Sequence, residues 1–212
     1  MDETWKLIFL AAPTLVTAIA AIIGLRAWYW QLVAKRRFEV AEQSITTFDR
    51  ANDALSAIRS PGSFSREYDQ ISIPEGISPE QATAMRDYGI FHKRVHDRSE
   101  DFAEIAATAK LCEIYFGHQA ADAMKALLAA RITVLVAVDM MIEDSRQRHS
   151  AAPGAVEQRK KALSEYRADI IAVAKPNPLN ERLAEARRVL ASKCEPYLRE
   201  QSFWEFLWGR KA

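Results

Sequence analysis

The most hydrophobic part of the chain is the uncharged run from Leu7 to Leu25, LIFLAAPTLVTAIAAIIGL. A helix rises about 1.5 Å per residue, so this run would cover roughly 28 Å, close to the ~30 Å hydrocarbon core of a bilayer. Backbone polar groups need partners inside lipid, so a single span must be helical. The pattern predicts that residues 1–30 hold a transmembrane anchor. A cleaved signal peptide and a buried helix of a soluble domain are the alternatives.

Aromatic and basic side chains bracket the run at positions typical of the two membrane interfaces: Trp5 before it, and Trp28, Tyr29, Trp30, Lys35, Arg36 and Arg37 after it. Before the run, Lys6 is the only basic side chain. By the positive-inside rule, the C-terminal side lies in the cytoplasm and the short N-terminus lies outside. A signal peptide carries its basic region before the apolar core, so the same asymmetry argues against one.

Beyond the anchor, residues 31–58 contain no helix breaker, and the membrane helix is expected to continue into the cytoplasm. Apolar or small side chains recur at helical spacing, with Asn52 among them: Phe38, Ala41, Ile45, Phe48 and Leu55. A buried Asn52 could fix the register of a parallel homodimer. The pattern covers fewer than three heptads, however, so we expect this face to pack on its own domain.

The remaining chain predicts further helices and no strand. Ser60-Pro61-Gly62 stops the first helix, and an irregular stretch, expected to pack on the domain, runs to Ile77. Ser78-Pro79-Glu80-Gln81 starts a second helix with a capping box, expected to reach Phe116. A third from about His118 to Glu143 is apolar enough to be central, a fourth covers about 155–174, and a fifth runs from Pro178 to before Pro196, forming a hairpin with the fourth.

The predicted fold class is therefore all-α. An N-terminal transmembrane helix continues into a cytoplasmic antiparallel bundle of about five helices over residues 31–200. Residues 201–212 form an aromatic tail whose apolar face holds Phe203, Trp204, Leu207 and Trp208, followed by Arg210 and Lys211. That composition suits the membrane interface. Packing of the tail on the bundle is the equal alternative.

Composition excludes some functions. With 29 basic and 28 acidic residues the net charge is +1, so the chain lacks the basic excess of a nucleic-acid binder. Cys112 and Cys194 are expected to be buried thiols, because two cysteines without CxxC spacing make no disulfide framework. No Gly-rich phosphate loop, GxSxG or HExxH motif is present. We predict no cofactor and no catalytic site; a helical enzyme without a recognisable motif stays an alternative.

His92 and His96 lie four residues apart, which places them on adjacent turns of one helix face. This is metal-ligand spacing, and a ligand- or metal-sensing domain is an alternative function. The pair lacks a fixed third ligand, and His92 also lies on the apolar stripe. A hydrogen-bonded core histidine is the simpler interpretation.

The segment FDRANDALSAIRSPGSF, residues 48–64, resembles a group of bacterial single-pass membrane proteins with a helical domain and no assigned function. The matching positions are Phe48, Ala51, Asp53, Ala54, Ile58, Arg59, Pro61 and Phe64. The resemblance implies a bacterial inner-membrane protein and no particular activity. Physically, Arg59 is expected to complement the dipole at its helix end, with Phe64 folding back as a hydrophobic clasp.

Together these patterns predict a protein-interaction or scaffold module at the inner membrane. The expected partners are the lipid bilayer and another protein or a second copy of the chain.

Overall fold

A computed structural model describes residues 3–62, 65–147, 156–173 and 177–199, with backbone alone at 3–12, 65, 66, 146, 147, 156 and 157. Every regular element in these ranges is a helix: α1 Glu3–Ile58, α2 Ser65–Tyr68, α3 Pro79–Asp97, α4 Ser99–Ala103, α5 Ile105–Phe116, α6 His118–Gln147, α7 Val156–Ile170 and α8 Pro178–Leu198. The all-helical prediction is confirmed for the described residues. Phe64, Phe203, Trp204 and Trp208 lie outside them.

Helix α1 is continuous from the apolar run into the domain, as predicted. Pro13 lies inside it, and the Thr17 hydroxyl donates to the Pro13 carbonyl over 2.8 Å. At 56 residues the helix is ~84 Å long. One rod thus carries both the apolar segment and part of the core.

The predicted start of the second long helix is confirmed. The backbone N–H of Gln81 donates to Ser78 Oγ and the Ser78 N–H donates to Gln81 Oε1, each over 3.2 Å, which makes a reciprocal capping box.

The uninterrupted course of that helix to Phe116 was a wrong prediction, because the helix breaks at Arg98 and Glu104. The buried residues are Phe102 before the second break and Ile105, Thr108, Ala109 and Cys112 after it.

Two further boundaries differ from the prediction. Helix α7 ends at Ile170, before the expected position 174, and the Arg59 and Asn177 side chains donate to its last carbonyls. Helix α8 continues through Pro196 to Leu198, so the proline lies within its final turn. The Asn177 side chain accepts from the Asn180 N–H and caps α8, as predicted.

Contacts between helices fix their directions. Arg50 of α1 donates to Glu104 over 2.9 Å, and Ser44 lies 3.1 Å from Cys112, so α5 runs opposite to α1. Asp49 accepts from Arg187 over 2.6 Å while Arg37 meets Tyr197, so α8 also runs opposite to α1. Helix α6 contacts α1, α3, α5, α7 and α8.

The hydrophobic core lies around α6 and draws on α1, α3, α4, α5, α7 and α8. Its large members include Phe48, Leu55, Phe102, Ile105, Met124, Leu127, Val134, Val138, Ile170, Leu183 and Leu190. On α1 the buried positions centre on Ala41, Phe48 and Leu55, while Asn52 is half-buried and Phe38 is exposed. The α1 stripe therefore packs within its own chain, and Asn52 is not at its centre.

The stretch after α1 packs on α3, as expected. Helix α2 contacts α3, and the Ile71 side chain lies over Gly89, where an added Cβ would come within 3.2 Å of Ile71 Cγ2. A glycine at position 89 thus permits the close approach.

Candidate functional site at the membrane-proximal helix

Between residues 13 and 25, α1 presents apolar side chains on every side. All residues from 13 to 25 are exposed, among them Leu15, Val16, Ile19, Ile22, Ile23 and Leu25. A helix that is hydrophobic all round is either buried in a large core or embedded in a membrane. No described helix of this chain covers the segment.

Within the described residues, one helix is long and apolar enough to cross a membrane, over Pro13–Ile58, and its apolar window is wholly unburied. The lack of burial separates this helix from the core helix of a soluble domain. A signal sequence near an N-terminus meets the same criteria of length and composition.

The predicted interface residues follow directly on α1. Trp28, Tyr29 and Trp30 are exposed, and Lys35 and Arg36 follow two turns later, also exposed. The side chain of Trp5 lies outside the described residues, so one of the two predicted aromatic belts is placed. The exposed rings and the basic cluster lie in the order that a membrane interface requires.

Arg36 and Arg37 of the basic cluster interact with aromatic side chains of the domain. Hydrogen bonds raise the pKa of Arg36, the larger effect coming from Tyr115 and the smaller from Glu39. The Arg37 guanidinium lies 5.5 Å from the centre of the Tyr197 ring. That ring is in turn 5.2 Å from the Phe116 ring. The ends of α5 and α8 are thereby attached to α1 just beyond the predicted interface.

Buried polar groups join α1 to α5 farther into the domain. Ser44 Oγ lies 2.6 Å from the Val40 carbonyl, to which it donates, and 3.1 Å from Cys112 Sγ. Cys112 and Cys194 are both fully buried, as predicted. Burial raises the pKa of Cys194 to about 12, with a further increase from Cys112 and a decrease from Arg187. Such thiols are inert, since the thiolate is the reactive form.

Arg59 occupies the far end of α1 and is only 1% exposed. Its Nε donates to the Asp169 carbonyl over 2.6 Å and its Nη2 donates to the Ala168 carbonyl over 3.1 Å. Nη1 and Nη2 also donate to the side-chain oxygens of Asn180 and Asn177. Burial lowers the pKa of Arg59, and the nearby Asp169 partly offsets this. Arg59 therefore joins the end of α7 to the start of α8.

Arg94 of α3 donates hydrogen bonds to carbonyls at the end of α1 and in the turn after it. Its Nη1 donates to the Ile58 and Ser60 carbonyls over 3.3 and 2.8 Å. Its Nε and Nη2 also bind both carboxylate oxygens of Glu67, over 3.0 and 2.8 Å. The sequence interpretation assigned this helix end to Arg59, whereas Arg59 complements the end of α7 instead.

The other described residues of the 48–64 motif differ in burial. Phe48 is in the core, while Asp53 and Pro61 are exposed. The motif thus marks the point where α1 ends and the chain turns, and its described members do not converge on one pocket.

His92 and His96 both lie on α3, but they face different surroundings. His92 Nε2 lies 2.9 Å from Asp139 Oδ1 of α6, and His96 is exposed. Among the described residues, no group of three or more histidine, cysteine, aspartate or glutamate side chains is placed to hold a metal ion. The Asp139 side chain is 67% exposed.

An open groove lies between α1 and the α4–α5 region. It is lined by Glu39, Glu42, Gln43, Thr46, Thr47, Arg50 and Glu104. These side chains are charged or amide and hydroxyl groups without a cysteine or histidine, so the groove offers no nucleophile paired with a base.

The contacts of Tyr115 and Tyr197 with the basic cluster were missed from the sequence. The only signal was that both tyrosines lie near helix ends, beside Phe116-Gly117 and Pro196.

No protein-family model, no curated protein and no solved structure matches this chain.

Proposed function

We propose that this chain is a single-pass membrane protein whose cytoplasmic helical domain, an antiparallel bundle, serves as a protein-interaction or scaffold module. The observation that carries the proposal is the exposed apolar surface on all sides of α1 between residues 13 and 25.

The size of that surface argues for lipid. Covering a large aliphatic side chain is worth about 1.5–3 kcal/mol, so the six large exposed side chains amount to roughly 10 kcal/mol. A protein partner would cover one face of the helix, whereas a bilayer covers all of them. The basic cluster after the segment supports a cytoplasmic domain and an outside N-terminus.

Interaction is the favoured activity because the described polar groups are used for structure. Arg59 and Arg94 bind helix ends, and His92 binds Asp139. Rigid attachment of α1 through Arg36 and Arg37 would hold the domain at a set height above the bilayer. Such a fixed position suits a module that presents a surface to other proteins.

Membrane fractionation tests the anchor. Wild-type protein should stay in the pellet after alkaline carbonate extraction. The double variant Ile19→Asp/Ile22→Asp should be released, because each aspartate costs about 2.5–3.5 kcal/mol near a span centre. Ile114→Asp, at an exposed isoleucine of the domain, is the matched control and should stay bound. Release of the wild type by carbonate would contradict the anchor.

Orientation and interaction need separate measurements. Protease added to spheroplasts should leave the domain intact, and its digestion would contradict the cytoplasmic placement. Crosslinking of the full chain in its native membrane, followed by mass spectrometry, should recover a recurrent protein partner. If the full chain gives no crosslink to any protein, the interaction module is refuted.

A further inference from the structure

Arg37 is a half-buried cation at the end of the domain nearer the apolar half of α1. Its guanidinium lies 5.5 Å from the centre of the Tyr197 ring, which places it between α1 and the end of α8. Its Nε is buried and has no hydrogen-bond partner, while its two Nη groups are not buried. Among the described residues, no carboxylate pairs with Arg37. A desolvated charge without a partner is costly, so this guanidinium would gain from an anion that approaches its Nη groups.

The two basic side chains before Arg37 share one carboxylate. Lys35 Nζ lies 4.0 Å from Glu39, and Arg36 Nη1 lies 3.3 Å from the same side chain. Residues 4–38 contain no aspartate and no glutamate. This part of α1 therefore carries more positive charge than Glu39 neutralises, and Arg37 is the side chain left over.

The neighbouring helix ends do not supply the missing anion. Glu113, near the end of α5, lies 2.9 Å from His118, and Glu195, near the end of α8, lies 3.3 Å from Arg199. The first turn of α6 holds no acidic residue. Within the described part of the chain, Arg37 thus has no counter-ion on any helix that meets it.

The position of Arg37 along α1 suits a lipid headgroup. Arg37 stands ~10 Å beyond Trp30, and helix side chains lean toward the N-terminal end of their helix, which here is the side of the apolar segment. The potential of an anionic leaflet extends over a Debye length of ~8 Å at physiological salt. The planar fork of an arginine also matches two oxygens of a phosphate.

We propose that this end of the domain binds the phosphate of an anionic phospholipid headgroup, with Arg37 donating through its Nη groups and with Lys35 and Arg36 beside it. The inference rests on the proposed membrane anchor, which brings these side chains to the leaflet. It adds the class of lipid that the domain selects. Free inorganic phosphate has the same chemistry, and the experiment separates the two sources.

Native mass spectrometry of the full chain, released from nanodiscs with equal amounts of phosphatidylcholine and phosphatidylglycerol, measures which lipids stay bound. The wild type should retain phosphatidylglycerol in preference to phosphatidylcholine. One basic side chain near an anionic surface changes such a preference about fivefold, so Arg37→Gln should lower it by about that factor.

Arg131→Gln is the matched control and should leave the preference unchanged. The Nε of Arg131 is likewise buried without a partner, and its guanidinium lies 5.2 Å from the centre of the Phe102 ring. Arg131 differs in position, because it stands ~20 Å along α6 from His118. An equal loss of preference in both variants would overturn the proposal.

A charge-preserving variant separates binding from packing. Arg37→Lys should keep most of the preference, and a loss equal to that of Arg37→Gln would show that packing on Tyr197 is what matters and would overturn the proposal. Excess inorganic phosphate should leave the bound lipid in place, and its release would overturn the lipid assignment. Equal retention of both lipids by wild type that co-elutes with the nanodiscs overturns this inference alone, whereas wild type that fails to co-elute overturns the proposed anchor as well.

Discussion

Replacing Arg59 by methionine removes the guanidinium that joins α1, α7 and α8, while nearly preserving side-chain volume. The residue is 1% exposed and donates to four acceptors: the Ala168 and Asp169 carbonyls and the side-chain oxygens of Asn177 and Asn180. The consequence depends on which of these acceptors keeps another donor.

Two acceptors stay bonded after the change. The Ala168 carbonyl also accepts from Asn177 Nδ2 over 3.2 Å, and Asn177 Oδ1 also accepts from the Asn180 N–H over 3.1 Å. The Asp169 carbonyl and Asn180 Oδ1 lose Arg59 without such a replacement. Asp169 is half-buried whereas Asn180 is exposed, so water can replace Arg59 at Asn180 and one acceptor is left without a partner. At about 1–3 kcal/mol for that acceptor, the destabilisation is about 2 kcal/mol.

Urea unfolding of the full chain in detergent, followed by circular dichroism, measures this. With a slope of ~2 kcal/mol/M the midpoint should fall by about 1 M. Amide hydrogen exchange should rise first at the end of α7. Arg188→Met is the control, because Arg188 is 78% exposed and pairs with Glu185 one turn away in α8; its effect should stay within about 0.5 kcal/mol. Equal midpoints for the two variants would refute the reasoning.

Three further predictions concern the domain. Arg94→Met should cost about 2–4 kcal/mol in the same urea assay, because Glu67 and the carbonyls of Ile58, Ser60 and Gly62 lose this donor. Lys93→Met is the control and should cost under about 0.5 kcal/mol. Similar losses for the two variants would contradict the assignment. Leu190→Ala, at a fully buried core position, should cost about 2–5 kcal/mol by the same measure, and a loss under 1 kcal/mol would place it outside the core. The pKa of Cys194 is raised from 9.0 to about 12 by burial, so the unfolded chain loses this proton first and stability should fall as pH rises from 9.0 toward 12. Urea midpoints between pH 8 and 11 should show a decline that Cys194→Ala reduces, and an unchanged slope would refute it.

Local signals determined much of the fold. The capping box at Ser78 and the cap at Asn177 are built from residues three apart, so sequence alone contains both partners. The continuity of α1 likewise follows from the absence of any breaker between residues 31 and 58. No glycine or proline lies at the breaks at Arg98 and Glu104, so the sequence carries no such signal for them.

Distant pairings could not be found this way. Arg59 and Asp169 are 110 positions apart, and Arg94 reaches Glu67 across a turn. The sequence does not show which distant acceptors Arg59 and Arg94 bind. Arg59 was therefore assigned to the helix end nearest to it in the sequence. The contact of Arg37 with Tyr197 could not be found either, since it depends on the direction in which α8 returns.

Because α1 is unbroken, a small change in its tilt moves its far end over a large distance. From Trp30 to Ile58 the helix extends ~42 Å. Membrane helices change tilt with bilayer thickness. If α1 is anchored in a bilayer as proposed above, a tilt change of about 10° would move the far end of the helix, near Arg59, sideways by about 7 Å. Because Arg36 and Arg37 attach the domain near the pivot, the bundle would swing as one body and report the state of the lipid as a displacement.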